Sequence, residues 1–157
     1  MAKKSSRRLI KRINFYPPFL GMGIRVHSFA DDFTRFEVQL REHWWNRNLY
    51  GTHFGGSLFA MADPFYMFVV AMNFGEGYIV WDKSASIDFL KPGRGTITGI
   101  FEISPQKLAK MRDEVDEHVK RTFHFETDLL NEEGVAVAHV NKEVYIRRKA
   151  PEARPAA

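Results

Sequence analysis

The chain has 157 residues, 45% of them hydrophobic, and these values predict a single globular domain with a substantial core. Its formal net charge is only +4, and much of the basic excess lies near the two ends, so the composition does not indicate a nucleic-acid-binding protein. The absence of cysteine excludes disulfides, zinc–thiolate sites and cysteine nucleophiles. Because neither a secretory h-region nor an apolar run of about 18 residues is found, we expect a cytoplasmic protein with no stable membrane insertion.

The first predicted element is a short, basic, amphipathic helix over residues 3–15. Leu9, Ile10 and Ile13 lie on one side of it, and Pro17-Pro18 ends it. Two uses of this helix are open, docking on the body of the protein and binding at a membrane surface. So short an apolar stripe more often belongs to a core than to a membrane anchor, so docking on the body is favoured.

Two strands and a long buried helix are predicted next. The segments 23–30 and 33–40 flank Asp31-Asp32, and the second alternates polar and apolar residues, which predicts a strand, a turn and a strand. The segment 55–73 is apolar on nearly every side, which predicts a helix buried all round. Pro64 removes one backbone hydrogen bond within it, so we expect a kink there. The adjacent Asp63 needs a partner or a function, because an ionised carboxylate among apolar residues is costly to desolvate.

The second half of the chain is predicted to hold four strands and one inserted helix over 105–119. A mostly antiparallel sheet curled around the long helix would cover every apolar face, which gives an α+β fold. We expect one domain over 1–150 and a disordered tail over 151–157. The four strands are predicted over 78–90, 96–103, 121–130 and 135–148.

The start of the long helix has the features of an anion or oxyanion site. Gly55-Gly56 leave backbone N–H groups unpaired at the positive end of the helix dipole, with no side chains to hinder a ligand. Asp63 stands eight residues after Gly55, which is roughly 12 Å along a helix axis. One chain therefore does not bring the two groups together, whereas two copies with antiparallel helices about a two-fold axis would do so.

The stretch 48–63, followed by the sequence Asp-Phe-Leu-Lys-Pro-Gly at 88–93, resembles hotdog-fold acyl-CoA thioesterases of the PaaI-like, or phenylacetyl-CoA thioesterase, type. In that family a glycine pair opens the central helix, an Ala-Asp or similar dipeptide follows, and a strand ends in a Phe-Leu-basic-Pro sequence. The resemblance covers about residues 20–148, and the inserted helix is more similar to an uncharacterised subgroup classed as a domain of unknown function. It implies a hotdog fold, a homodimer or dimer of dimers, and sites between subunits.

The resemblance also implies a role for each matching residue. Asp63 would be the general base or nucleophile, the N–H of Gly55 would polarise the thioester carbonyl, and Asn48 would help to hold that carbonyl. The family commonly has His immediately before the glycine pair, whereas Phe54 stands there in this chain, one residue after His53. No metal or cofactor is implied. The other implied substrate-binding residues are Gly56, His53, Phe54 and, near a water on the next strand, Asp82 and Ser84.

Simpler explanations stay open at three of these positions. Asp63 could bond only the amides that Pro64 frees, the glycine pair could be a plain turn, and Asn48 could only shape its loop. The functional prediction is an acyl-CoA thioesterase, and the alternative is a module that binds acyl-CoA or an acyl carrier without hydrolysing it. An enoyl-CoA hydratase ranks last, because Phe68 stands where the Asp-x-x-x-x-His pattern of that group requires His.

Overall fold

The computed structural model describes residues 3–150, with side chains from residue 8 onward. The tail predicted over 151–157 lies outside the described residues. Within them the elements are, in chain order, α1 (Lys3–Ile13), α2 (Pro17–Met22), β1 (Ile24–Phe29), β2 (Arg35–Arg41), α3 (Gly55–Ala62), α4 (Phe65–Phe74), β3 (Tyr78–Phe89), β4 (Thr96–Glu102), α5 (Pro105–His118), β5 (Lys120–Leu130) and β6 (Ala136–Arg148).

All six strands form one antiparallel sheet in the order β1-β2-β4-β5-β6-β3, so β1 and β3 are its two edges. The pairing between β4 and β5 is short, at Thr98↔Leu130 and Gly99↔Leu129, and α5 is inserted between these two strands. The sheet curls around the central helix. The α+β architecture and the six strands predicted from the sequence are therefore confirmed.

The central helix is interrupted where Pro64 stands, as the sequence predicts. α3 ends at Ala62 and α4 begins at Phe65, and the amide of Asp63 bonds to the carbonyl of Ala60. By length and composition the run Gly55–Phe74 could cross a membrane, but half of its most apolar 18-residue stretch is buried inside the fold. We therefore assign it as the core helix.

Aromatic packing fixes the position of this helix against the sheet. The ring of Phe65 is fully buried, and its centroid lies 5.2 Å from that of Phe101 on β4 and 5.9 Å from that of Phe36 on β2. Phe19 on α2 packs on the same ring at 6.2 Å. Because such rings bury large apolar areas, this cluster sets the rotation of the helix and, two residues before Phe65, the position of Asp63.

The N-terminal helix docks on the body, which is the favoured of the two alternatives. Ile10 is only 1% exposed and belongs to the core. α2 is not predicted by the sequence, which suggests only that Pro17-Pro18 ends the first helix. Proline is also favoured at the first position of a helix, because the N–H that it lacks would have no partner there. Gly23 ends α2 with a φ of 80°.

Candidate functional site

The glycine pair leaves two backbone amides without a partner at the start of α3. No side chain caps this helix, and within residues 3–150 no acceptor bonds to the N–H of Gly55 or Gly56. A Cβ on Gly55 would lie 3.0 Å from the ring of Phe89, and a Cβ on Gly56 would collide with the ring of Phe54. A side chain at either position would have to displace an exposed aromatic ring, and glycine lets that ring approach the backbone closely.

A cavity of about 710 Å³ opens at Gly55. It is lined by the predicted site residues Asn48, His53 and Gly55 together with two cations, Lys91 and Arg94. The volume lies in the range of small-molecule sites. The structure therefore brings three of the predicted site residues together in one chain, at a place where anionic groups could also be bound.

The side chain of Asn48 is committed to its own loop. Its Oδ1 accepts hydrogen bonds from the amides of Tyr50 at 2.9 Å and Thr52 at 3.2 Å. Its Nδ2 donates to Thr52 Oγ1 at 2.8 Å and to the carbonyl of His53 at 3.2 Å. These bonds use the whole hydrogen-bonding capacity of the amide, so contact with a substrate carbonyl would require one of them to break.

His53 connects the glycine loop to the turn that follows β3. Its ring is 3% exposed, and Nε2 lies 2.8 Å from the carbonyl oxygen of Gly95, so Nε2 is the donor. Nδ1 is buried and has no partner within the described residues. Gly95 in turn donates its N–H to the carboxylate of Glu42, which also pairs with Arg47. Burial raises the pKa of Glu42, but the bond from Gly95 and the charge of Arg47 outweigh this, so the pKa is lowered overall.

The sequence predicts that Asp63 is enclosed by its apolar neighbours, and this prediction is wrong for the single chain. Its side chain is 57% exposed, because the break at Pro64 places it on the open side of the helix. It lines a second cavity, of about 480 Å³, and not the one at Gly55. The hollow around Asp63 is apolar and is lined by Ile13, Tyr16, Phe19, Phe59, Pro64 and Phe68.

The partner of Asp63 is Lys142, which the sequence analysis missed. The side chain of Lys142 on β6 is 2% exposed, and its Nζ lies 2.8 Å from Asp63 Oδ1 and 3.2 Å from Asp82 Oδ2. The ammonium thus connects the central helix to the edge strand β3. A signal for it existed, because the alternation of β6 places Lys142 on the inward face between Val140 and Val144, where a charge needs partners.

Asp82 and Ser84, both predicted near the site, lie on opposite faces of β3. A bulge between them shifts the register, so that Asp82 pairs with the buried Val144 and Ser84 with Glu143 on the outer face. Only Asp82 therefore reaches Lys142. Its Oδ1 is buried without a partner in the described part of the chain, and burial raises the pKa of this carboxyl although Lys142 acts in the opposite direction.

The family of the chain follows from its sequence over almost its whole length. A family model described as Domain of unknown function (DUF4442) matches residues 6–146. The chain belongs to the DUF4442 family. No curated protein matches the sequence.

Solved structures identify the fold of this DUF4442 protein. A protein of unknown function from Pseudomonas aeruginosa, PA5026, described as a probable thioesterase, is 18% identical with a TM-score of 0.80, over 95% of this chain and 97% of that one. Thioesterase HI1161 from Haemophilus influenzae is 14% identical with a TM-score of 0.65, over 92% and 94%. The E. coli PaaI protein, from the phenylacetic acid degradation operon, is 17% identical with a TM-score of 0.61, over 93% and 95%. At such identities the likeness shows the fold, which is the hotdog fold.

The DUF4442 chain thus carries two separate groups with chemical potential. One is the pair of free amides with two cations nearby, and the other is a carboxylate held through one oxygen by a buried ammonium. They lie at different cavities of the same helix. Neither group alone is a catalytic site for acyl transfer, which needs an oxyanion site and a base or nucleophile at the same carbonyl.

Proposed function

We propose that this DUF4442 protein is an acyl-CoA thioesterase that acts as a homodimer or as a dimer of dimers. The observation that carries the proposal is the pair of free amides at Gly55 and Gly56 on the same helix as the anchored carboxylate of Asp63, at two different cavities. Structural neighbours described as thioesterases support the reaction class. The proposed location is the cytoplasm, which the lack of cysteine suits.

The proposed dimer forms along β3. This strand has twelve residues, none of them buried, and in the single chain it pairs on one side only, with β6. Trp81 is 70% exposed and Phe89 is 58% exposed. So long an exposed edge is a template for pairing with a second copy. Antiparallel pairing of two β3 strands about a two-fold axis would bring the central helices side by side, with Asp63 of one chain facing Gly55 of the other.

In the proposed reaction the thioester carbonyl lies against the glycine amides. Attack on this carbonyl creates an oxyanion, which each preorganised amide stabilises by roughly 3 kcal/mol. In one route Asp63 takes a proton from water, the water oxygen bonds to the carbonyl carbon, the C–S bond breaks, and the thiolate receives the proton. In the other route Asp63 attacks the carbonyl carbon directly, the C–S bond breaks and the thiolate leaves with a mixed anhydride formed. Water then hydrolyses the anhydride to the free acid and the Asp63 carboxylate, and its released proton goes to the thiolate.

Lys142 would position the reacting carboxylate in either route. It holds Oδ1 of Asp63 at 2.8 Å, which leaves Oδ2 free on the open side of the helix. Because the ammonium is buried on β6, next to the edge strand β3, it cannot follow the carboxylate into solvent. The carboxylate of Asp63 is thus held in one orientation although its side chain is exposed. A reacting group must be held in this way if it is to meet the thioester carbonyl in the geometry of attack.

The carrier is proposed to be coenzyme A because cations line the cavity at Gly55. Lys91 and Arg94 could bind phosphate groups there, and Arg94 is already ordered by a bond from its Nη1 to the carbonyl of Gly51 at 2.6 Å. The apolar hollow beside Asp63 would take the acyl chain of the substrate held by the partner subunit.

The direct test is release of free thiol from a panel of acyl-CoAs by the wild-type protein and by Asp63→Asn. We expect turnover with at least one chain length and a loss of about 1,000-fold or more in Asp63→Asn. Asp113→Asn, the same change at an exposed position of α5, is the matched control and should keep wild-type activity. No turnover with any substrate, or full turnover in Asp63→Asn, would contradict the proposal.

A second candidate function is binding of acyl-CoA or of an acyl carrier without hydrolysis. Two observations favour it, the commitment of Asn48 to its own loop and the ring of Phe54 over Gly56. Both reduce the polar groups available at the carbonyl. Calorimetry that shows micromolar binding of acyl-CoA, with the ligand recovered intact, would support this candidate over the first.

A further inference from the structure

A patch of exposed apolar and aromatic side chains lies around α2, at the β1 side of the fold. We call it the aromatic patch and define it by Phe15, Tyr16, Leu20, Trp44 and Trp45. Each is at least half exposed, and Trp44 and Phe15 reach 82% and 75%. The indoles of Trp44 and Trp45 contact each other edge to face at 5.6 Å, and Trp45 stacks on His43 at 4.3 Å. Ring contacts therefore hold part of the patch in place while it faces water.

Cations without carboxylate partners surround this patch. A cavity of about 560 Å³ is lined by Phe15, Leu20 and Trp45 of the patch. The charged side chains lining it are all basic, and none of them pairs with a carboxylate within the described residues. The sequence continues this bias, since residues 1–30 contain no Asp or Glu. The cations of the cavity are Lys11, Arg25 and Arg41.

We propose that the aromatic patch and these three cations form a docking surface for an anionic phospholipid bilayer. Indole and phenol rings favour the boundary between headgroups and acyl chains, and Lys and Arg bind the lipid phosphates. A single-stranded nucleic acid also binds aromatic rings and cations. The lipid is favoured because Leu20 and the neighbouring Leu9, each 52% exposed, cannot stack on bases but can enter the acyl region.

The location of the surface leaves it accessible in the dimer. α2 leads directly into β1, which is the edge of the sheet opposite to β3. A dimer paired along β3 would therefore present this surface on both copies. The proposal does not depend on hydrolysis, because it concerns attachment of the protein. Tyr16 of the patch also lines the hollow at Asp63, and the cation variants below leave it unchanged.

Co-sedimentation with vesicles tests the proposal. The full-length protein is expected to pellet with vesicles of phosphatidylcholine and phosphatidylglycerol, to stay in the supernatant with phosphatidylcholine alone, and to be released by salt. Removing a surface cation costs about fivefold in binding, so the combined variant Lys11→Ala, Arg25→Ala, Arg41→Ala should bind on the order of 100-fold more weakly. The matched control removes three exposed cations elsewhere, Lys110, Lys120 and Arg121.

Tryptophan fluorescence gives a second measurement that needs no variant of the surface. In a Trp81→Phe background the remaining reporters are Trp44 and Trp45, both in the patch. Their emission should shift to shorter wavelength on anionic vesicles and stay unchanged on neutral ones. No pelleting and no shift would overturn the proposal, as would equal loss in the control variant. Tight, salt-sensitive binding of single-stranded RNA without vesicle binding would assign the surface to nucleic acid instead.

Discussion

Replacing Lys142 with methionine leaves the carboxylates of Asp63 and Asp82 facing each other without the ammonium that lies between them. Removal of one partner from a fully buried ion pair costs about 3–5 kcal/mol. The side chains of Asp63 and Asp82 are 57% and 23% exposed, so water still reaches them, and methionine fills most of the vacated volume. We therefore expect a loss of about 2 kcal/mol in the free energy of unfolding, or about 4–8 °C in Tm.

A double-mutant cycle separates this electrostatic cost from a packing defect. Asp82→Asn removes one of the two facing charges, so the pair Lys142→Met, Asp82→Asn should lie within about 1 kcal/mol of the wild type. Burial already raises the pKa of Asp82 above its ordinary value of 3.8, and removal of the cation raises it further. When the pKa of Asp82 is raised in the folded state, the folded protein binds the proton more tightly than the unfolded chain does. Stability therefore falls as the pH rises from the ordinary pKa through the raised pKa, and the stability deficit of Lys142→Met shrinks toward acid pH.

The assay is thermal and urea denaturation of the four proteins at neutral and at acid pH, all at one protein concentration because a dimer is concentration-dependent. A wild-type Tm in Lys142→Met would refute the reasoning. So would a failure of Asp82→Asn to restore stability, or a deficit that does not change with pH.

Three further predictions follow from the site. Glu42→Gln removes a carboxyl whose pKa is lowered in the folded state, and such a group stabilises the fold above its ordinary pKa of 4.5 and loses this effect at lower pH. The Tm deficit of the variant should therefore be largest at neutral pH and shrink below pH 4.5. A deficit that stays constant with pH would contradict this. In Gly55→Ala the new Cβ meets the ring of Phe89, so thiol release should fall about 100-fold, while Gly77→Ala, where a Cβ meets nothing within 4 Å, should keep wild-type activity. In Asn48→Ala the loop loses the four bonds of this side chain, so urea denaturation should show about 2 kcal/mol less stability; an unchanged midpoint would mean that Asn48 does not hold the loop.

Local patterns explain why so much of the fold could be predicted. A period of two marks the strands predicted over 33–40, 78–90 and 96–103, and turn residues between segments mark the others. The apolar run with Pro64 inside it marks both the central helix and its interruption. These signals lie within single segments. α2 escaped prediction because Pro17-Pro18 is equally consistent with the end of one helix and the start of another.

The site could be predicted only where its parts are close in sequence. The glycine pair and its loop form from neighbouring residues, so the sequence alone could place Gly55 and His53 next to each other, and both line one cavity. The contact between Lys142 and Asp63 spans 79 residues and depends on how β6 lies against the helix, which no local pattern specifies. The bulge in β3 likewise separates Asp82 from Ser84, although simple alternation places them on one face.

The central claim is that Asp63 of one subunit acts with Gly55 of the other, and a mixed dimer tests it most directly. One chain carries Asp63→Asn and the other carries Gly55→Val, and the two are purified together through different tags. If each site combines Asp63 of one subunit with Gly55 of the other, one site of the mixed dimer carries both substitutions and the other carries neither. About half of the wild-type thiol release is then expected, although each homodimer is inactive. A mixed dimer as inactive as the two homodimers would mean that both residues act within one chain, and the account would be wrong.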